Sequence, residues 1–263
     1  MWSVKKLVSA LCACLIVSAA PAQAYEIDRS YNNGRTAIAV YHPDGRWTGS
    51  PDALEPRPAL SLAKLYLGYY VLYHGTDEER DLVKDMIRVS NNSYAERLDE
   101  AYPQAIGEIA SEFGLPDTDR NGGWGRTTTS PYDVAKFIAS IVWDPRAEPL
   151  LDGMKNVPDT ADDGFRQIFG TAKLDHVEGF KTGWSNDEKS QTGSVAYGEV
   201  DDHLWVAAAL TNGDAYDNTT DAIRGIRQID EEKHRPTMLR PTRDWRFGDA
   251  FPVPFKKLGS QGS

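Results

Sequence analysis

The sequence predicts an α+β fold: an antiparallel sheet flanked by helices, with a helical subdomain at about residues 61–150 inserted in it. Two observations carry this. Strand-like runs and helix-like runs are segregated along the chain rather than alternating. Three strand-like runs also follow one another closely near the C-terminal end, as in a meander, and a helix closes the pattern.

Thr36–Tyr41 is β-branched and apolar and runs into the turn His42-Pro43-Asp44-Gly45. Arg46-Trp47-Thr48 begins a return strand, and Pro51–Pro58 is a proline-rich connection. From Ser61 the period becomes helical, with Leu62, Leu65, Tyr66, Tyr69, Tyr70 and Leu72 on one face and Gly75 as a stop. Asp77-Glu78-Glu79 places acids at the start of a second helix running towards Met86-Ile87. Asn92–Ala101 and Gln104–Phe113 are two more helices, the latter stopped by Gly114. Asn121–Gly125 is a glycine-rich loop. Ser130-Pro131 then caps and opens a helix that reaches about Trp143. A polar stretch leads to the strands Val177–Trp184, Gln191–Val200 and His203–Thr211, the last two joined by Asp201-Asp202. Thr219–Glu232 is the final helix, and the proline- and aromatic-rich tail from Pro236 is irregular.

The first 24 residues carry a targeting pattern. Lys5 and Lys6 precede the apolar run Leu7–Ala20, which is short for a membrane span, and Ala22-Gln23-Ala24 is a small-x-small cleavage site. The expectation is a signal peptide over 1–24, a single domain over 25–263, and an extracytoplasmic or secreted product. A retained anchor is the other reading. Leu11-Cys12-Ala13-Cys14 only loosely matches a lipid-attachment box.

Both cysteines, Cys12 and Cys14, fall in that segment. The mature chain then has no disulfide, no thiol nucleophile and no thiolate metal site. The five histidines are scattered without ligand spacing, and no phosphate-binding loop is present, so no metal or cofactor is expected. The formal net charge of −10 argues against nucleic acid and anionic lipid as partners. After cleavage no membrane segment is expected, and the oligomeric state is left open.

Three short motifs carry chemistry. In Ser61-Leu62-Ala63-Lys64, the serine and lysine stand three apart, on one face of a helix. A serine hydroxyl is a weak nucleophile until a base takes its proton, and the helix start favours a developing alkoxide. Lys64 can be that base only if neutral; burial and a neighbouring cation such as Lys181 would both lower its pKa. In Ser90-Asn91-Asn92, the Ser90 hydroxyl can relay a proton and the Asn92 amide can hold Lys64 and a substrate amide. In Lys181-Thr182-Gly183, Lys181 and Thr182 suit a substrate carboxylate, and Gly183 gives room for close approach. The backbone N–H of Trp184, with that of Ser61, can form an oxyanion hole. Each motif has an ordinary reading: a capping serine with a snorkelling lysine, a capping serine with a turn asparagine, an exposed lysine near a hairpin. Ser3-Val4-Lys5-Lys6 and Ser30-Tyr31-Asn32 show how readily such fragments arise by accident.

The ordered triplet S-x-x-K, S-x-N, K-T-G resembles that of the penicillin-binding proteins and serine β-lactamases, and Thr127–Asp133 resembles their threonine-rich helix entry. The resemblance implies a β-lactamase/transpeptidase-like fold. It makes Ser61 the acylated nucleophile, Lys64 its base, Ser90 the second catalytic serine, and Asn92, Lys181, Thr182, Gly183 and Trp184 the substrate-binding set. The implied ligands are peptidoglycan stem peptides or β-lactams. Two departures stand out. The interval from Ser61 to Ser90 is shorter than the family's helical excursion. The Glu-x-x-x-Asn pattern of class A β-lactamases is absent before the threonine-rich entry; Asp117-Thr118-Asp119-Arg120-Asn121 offers only a shorter carboxylate. Three readings follow: a carboxypeptidase-like acyl hydrolase of D-Ala-D-Ala peptides, which leads; a divergent β-lactamase; and a non-catalytic peptidoglycan-binding pseudoenzyme.

Overall fold

The computed structural model describes residues 25–28, 30–200 and 203–228. The segment expected to carry targeting, the turn expected at Asp201-Asp202 and the tail from Pro236 lie outside the described residues. In chain order the elements are β1 (Tyr25–Ile27), β2 (Thr36–Tyr41), β3 (Trp47–Gly49), β4 (Arg57–Pro58), α1 (Ala63–His74), α2 (Asp77–Arg88), α3 (Asn92–Ala101) and α4 (Ala105–Phe113). They continue as β5 (Thr128–Thr129), α5 (Pro131–Ile141), α6 (Glu148–Lys155), β6 (Val177–Trp184), β7 (Thr192–Val200), β8 (His203–Thr211), α7 (Ala215–Gly225) and β9 (Ile226–Gln228).

The main sheet is antiparallel, in the order β3-β2-β8-β7-β6, with β6 at one edge. Its central strand β8 shows why the sequence reads as continuously apolar. Leu204, Val206, Ala208 and Leu210 enter the larger core with α1 and α5, while Trp205, Ala207 and Ala209 enter a second core with β1 and Ala222 of α7. Successive strand residues face opposite sides, so a strand covered on both faces has no polar phase.

Local signals explain several helix ends. Thr76 and Glu79 form a capping box on α2, Asn91 caps α3 through the Tyr94 N–H, and Ser130 caps α5 ahead of Pro131. Gly114 ends α4 in the left-handed conformation. Several elements differ from the expectation, among them the short strands β1, β4 and β5. The polar stretch after Trp143 contains α6, opened by Pro149 in its first turn and buried through Leu150, Leu151 and Met154. The last helix begins earlier than Thr219, where Asp214 accepts from the Asp217 N–H, and ends at Gly225. There the chain extends into β9, which pairs with β1. That pairing of the two ends of the described chain gives Tyr25–Ile27 a strand role that three residues alone could not announce.

Polar contacts tie the layers. Arg35 forks onto Asp221 of α7 at 2.7 and 3.0 Å, and the Thr36 hydroxyl donates to the same carboxylate at 2.6 Å. The Tyr69 and Tyr73 hydroxyls of α1 both donate to Asp144, at 2.8 and 2.6 Å. No helix among the described residues is long and apolar enough to cross a membrane.

Candidate active site

Ser61 stands in a short 3₁₀ turn, Leu60–Leu62, that runs directly into α1. Leu60, the residue before it, has φ 54°, a left-handed conformation unusual for a branched side chain. The helical path then brings Lys64 Nζ to 3.1 Å from Ser61 Oγ. Ser61 makes no side-chain cap, and Lys64 is fully buried, so neither has the ordinary role open to it.

Ser90 lies between α2 and α3 with φ 57°, the position where a helix most often ends on glycine. The capping role at α3 belongs to Asn91, which leaves the Ser90 hydroxyl free for other work. That hydroxyl accepts from Lys181 Nζ at 2.9 Å and from Lys64 Nζ at 3.2 Å. Lys64 also donates to Asn92 Oδ1 at 2.7 Å and to the Ser90 carbonyl at 2.6 Å. Lys181 donates to the Thr182 carbonyl at 2.7 Å and is almost wholly buried rather than exposed near a hairpin.

The partners of Lys64 limit its protonation chemistry. The Ser90 carbonyl and Asn92 Oδ1 can only accept, so each takes an N–H. The remaining two contacts are hydroxyls, which can donate. A neutral Lys64 therefore keeps its lone pair facing Ser61 and Ser90. Burial pushes the Lys64 ammonium down to about 7, against an upward pull from Asp163 and Asp162. Lys181 also falls well below the usual lysine range, first through burial and then through the Lys64 charge. The expectation that a neighbouring cation would help depress Lys64 is thus met in the other direction: burial depresses Lys64, and its charge depresses Lys181.

Lys181, Thr182, Gly183 and Trp184 lie on the edge strand β6, which packs beside the turn carrying Ser61. Gly183 faces the Ser61 backbone, so the room its missing side chain leaves is filled by the chain itself. The Thr182 hydroxyl is buried and donates to the Gln167 carbonyl at 2.9 Å; it must leave that partner to meet a carboxylate. The Trp184 indole donates to Asp163 at 3.1 Å and stacks on Phe165 with ring centroids 4.5 Å apart.

The structure therefore gathers Ser61, Lys64, Ser90, Asn92 and Lys181 into one hydrogen-bonded cluster, with Gly183 and Trp184 beside it. Asp117 stands apart from it: its N–H donates to Asp133, while the Asn121 side chain turns back to Asp119 and Thr128. The sequence reading missed Trp124, whose ring lies 4.9 Å from Lys64 Nζ, and the Asp162-Asp163-Gly164 loop beside Trp184. The glycine-rich loop around Trp124 was the available signal. Among the described residues no group of histidine, cysteine and acidic side chains is arranged to hold a metal ion.

No protein-family model and no curated protein sequence matches the chain. Solved structures do match in fold. Penicillin-binding protein D2 from Listeria monocytogenes, in its cefotaxime-bound form, aligns with TM-score 0.58 at 18% identity, covering 75% of this chain and 97% of that one. A D-alanyl-D-alanine carboxypeptidase from Mycobacterium tuberculosis H37Rv gives 0.56 at 15% identity, over 75% and 93%. A class A β-lactamase from Mycobacterium abscessus gives 0.56 at 18% identity, over 73% and 92%. The fold of the chain is the one shared by penicillin-binding proteins, carboxypeptidases and serine β-lactamases.

Proposed function

We propose that the chain is an active-site-serine acyl hydrolase, carboxypeptidase-like, acting on D-Ala-D-Ala-type ends of cell-wall peptides and acylated by β-lactams. The observation that carries this reading is the unbroken path Ser61 Oγ, Lys64 Nζ, Ser90 Oγ, Lys181 Nζ, with steps of 3.1, 3.2 and 2.9 Å. Neutral Lys64 takes the Ser61 proton as Oγ attacks the substrate carbonyl. The oxyanion is met by the backbone N–H groups of Ser61 and Trp184. As the acyl bond to the leaving amine breaks, Ser90 passes a proton from Lys64 to the nitrogen. Lys181, beside Ser90, balances a terminal carboxylate. Asn92 holds Lys64 and takes the substrate amide, and the edge of β6 offers backbone groups to an extended peptide. Water then releases the acyl group slowly, because Asp117, the shorter stand-in for the missing glutamate, lies outside the cluster. With the targeting pattern at the N-terminus, the site of action is the cell envelope.

Intact-protein mass spectrometry with benzylpenicillin tests the reading. A single adduct that forms on the wild type, is absent in Ser61→Ala and decays slowly is the expected result. Fast loss of the adduct with multiple turnovers would turn the reading towards a β-lactamase. No adduct on folded protein, with peptidoglycan still bound, would turn it towards a binding protein.

A further inference from the structure

Trp124 sits in a short turn, Trp124–Arg126, with the face of its ring over Lys64 Nζ at 4.9 Å. The placement is built. Arg120 forks onto Asp99 of α3 at 2.7 and 2.6 Å, and Asp99 Oδ2 also accepts the Trp124 backbone N–H at 3.2 Å. Asp99 is buried, and it lies seven residues after Asn92, hence two turns along the same face of α3. One helix face therefore presents Asn92 directly to Lys64 and, through Asp99, holds the backbone of Trp124, whose ring lies over Lys64.

We propose that Trp124 is a positioning residue for Lys64: its ring, tethered by the Asp99–Arg120 pair, closes the lysine off from water and keeps it in the neutral, proton-accepting form. This rests on Lys64 being the base for Ser61. The ring acts in two opposed ways. Its π face attracts an ammonium, an effect worth about one pKa unit. As an apolar cover it excludes water, and full burial moves a lysine by up to roughly 3–5 units. By these magnitudes exclusion is the larger effect, and burial is the first cause of the downward shift of Lys64. The other groups that meet Lys64, Ser61 included, are polar or charged. Ser90 and Asn92 are polar partners, Lys181 reaches it across Ser90, and Asp162 and Asp163 pull upward. Asp99 and Arg120, at the Trp124 backbone, balance one another in charge.

The test follows Lys64 itself. NMR titration of the chain labelled at lysine Cε, with the Lys64 signal assigned by its loss in Lys64→Met, is run on wild type, Trp124→Phe, Trp124→Ala and Asp99→Asn. Trp124→Phe keeps an aromatic cover and titrates near the wild type. Trp124→Ala titrates about one unit or more higher, and its acylation by benzylpenicillin at pH 7 falls about tenfold and recovers as the pH is raised. Asp99→Asn, which loosens the tether but retains the ring, moves the same way by less and keeps the test open should Trp124→Ala not fold. An unchanged or lowered Lys64 titration in the folded variants would overturn the proposal. Absence of acylation by the wild type at every pH would instead overturn the serine-hydrolase reading, while the Lys64 titration still decides whether Trp124 controls that lysine.

Discussion

Gly183 lies directly against the backbone of Ser61: a methyl group added at Gly183 would come within 2.6 Å of the Ser61 nitrogen and 2.9 Å of Leu60 Cβ. The edge strand and the nucleophile turn are therefore set by one backbone-to-backbone approach. Gly183→Ala has to push the two apart, because neither obstacle is the end of a flexible side chain. The expected outcome is a loss of about 1–3 kcal/mol in urea unfolding and a fall of more than about tenfold in the rate of acylation by benzylpenicillin, because misplacing a reacting group by about an ångström is costly. Acylation at the wild-type rate would mean that the contact does not align Ser61.

Ser90 holds a left-handed backbone conformation, and its hydroxyl meets both Lys64 and Lys181. Such strain costs on the order of 1 kcal/mol and gathers at functional sites. Ser90→Gly and Ser90→Ala both remove the hydroxyl shared by Lys64 and Lys181. Both are expected to lose at least about a hundredfold in acylation. The glycine variant should nonetheless be the more stable of the two by about 1 kcal/mol, as read by denaturant titration. Equal stabilities would show that the backbone is unstrained.

Lys64 gives the stability a defined pH dependence. Its folded pKa of about 7 lies below the ordinary lysine value of 10.5. Between those values the unfolded chain holds a proton that the folded chain lacks, so raising the pH through this window stabilises the fold. The buried lysine costs most below about pH 7 and least above the ordinary lysine pKa. Across the window the effect is roughly 3–5 kcal/mol. Unfolding of wild type and Lys64→Met at pH 7 and pH 10 isolates it: the wild type should gain relative to the variant as the pH rises. A constant difference would place Lys64 at an ordinary pKa.

Asp117 and Asn121 are spaced like a deacylation pair, but neither is hydrogen-bonded to the reacting cluster. Asp117→Asn and Asn121→Ala should each leave the decay of the benzylpenicillin adduct within about twofold of wild type, since neither touches the reacting cluster. A clear slowing in Asp117→Asn, timed by mass spectrometry, would restore it as the base for water.

Asp221 separates stability from chemistry. It is buried and accepts from both Arg35 and Thr36, fastening α7 to β2. Asp221→Ala should cost about 1–2 kcal/mol, because it removes the buried acceptor shared by Arg35 and Thr36, while Thr36 keeps the Thr211 hydroxyl and Arg35 keeps Asp217. The folded variant should acylate at the wild-type rate. A selective loss of acylation would show that this region reaches the active site.

The order of strands and helices was legible because each is written locally. The α1 face repeats at helical spacing, Ser130-Pro131 marks the start of α5, and the last three strands of the main sheet are separated by polar turns. The errors fall where local pattern is poor. The eight residues of α6 carry a proline, Pro149, in their first turn, and the pairing of β1 with β9 joins the two ends of the described chain. Neither leaves a periodicity long enough to read.

The sequence by itself determined the chemical inventory: a serine and a lysine three apart on a helix, a second serine with its asparagine, a lysine on a strand, and no thiol after the first 24 residues. Tertiary structure decided what those groups are. It buried Lys64 and Lys181 around one hydroxyl, left Ser90 uncommitted by giving the helix cap to Asn91, and set Trp124 over Lys64 and Gly183 against Ser61. The reason is physical. Residue type and spacing fix the groups a segment can offer, whereas a lysine's proton affinity depends on water exclusion and on neighbours brought from distant parts of the chain.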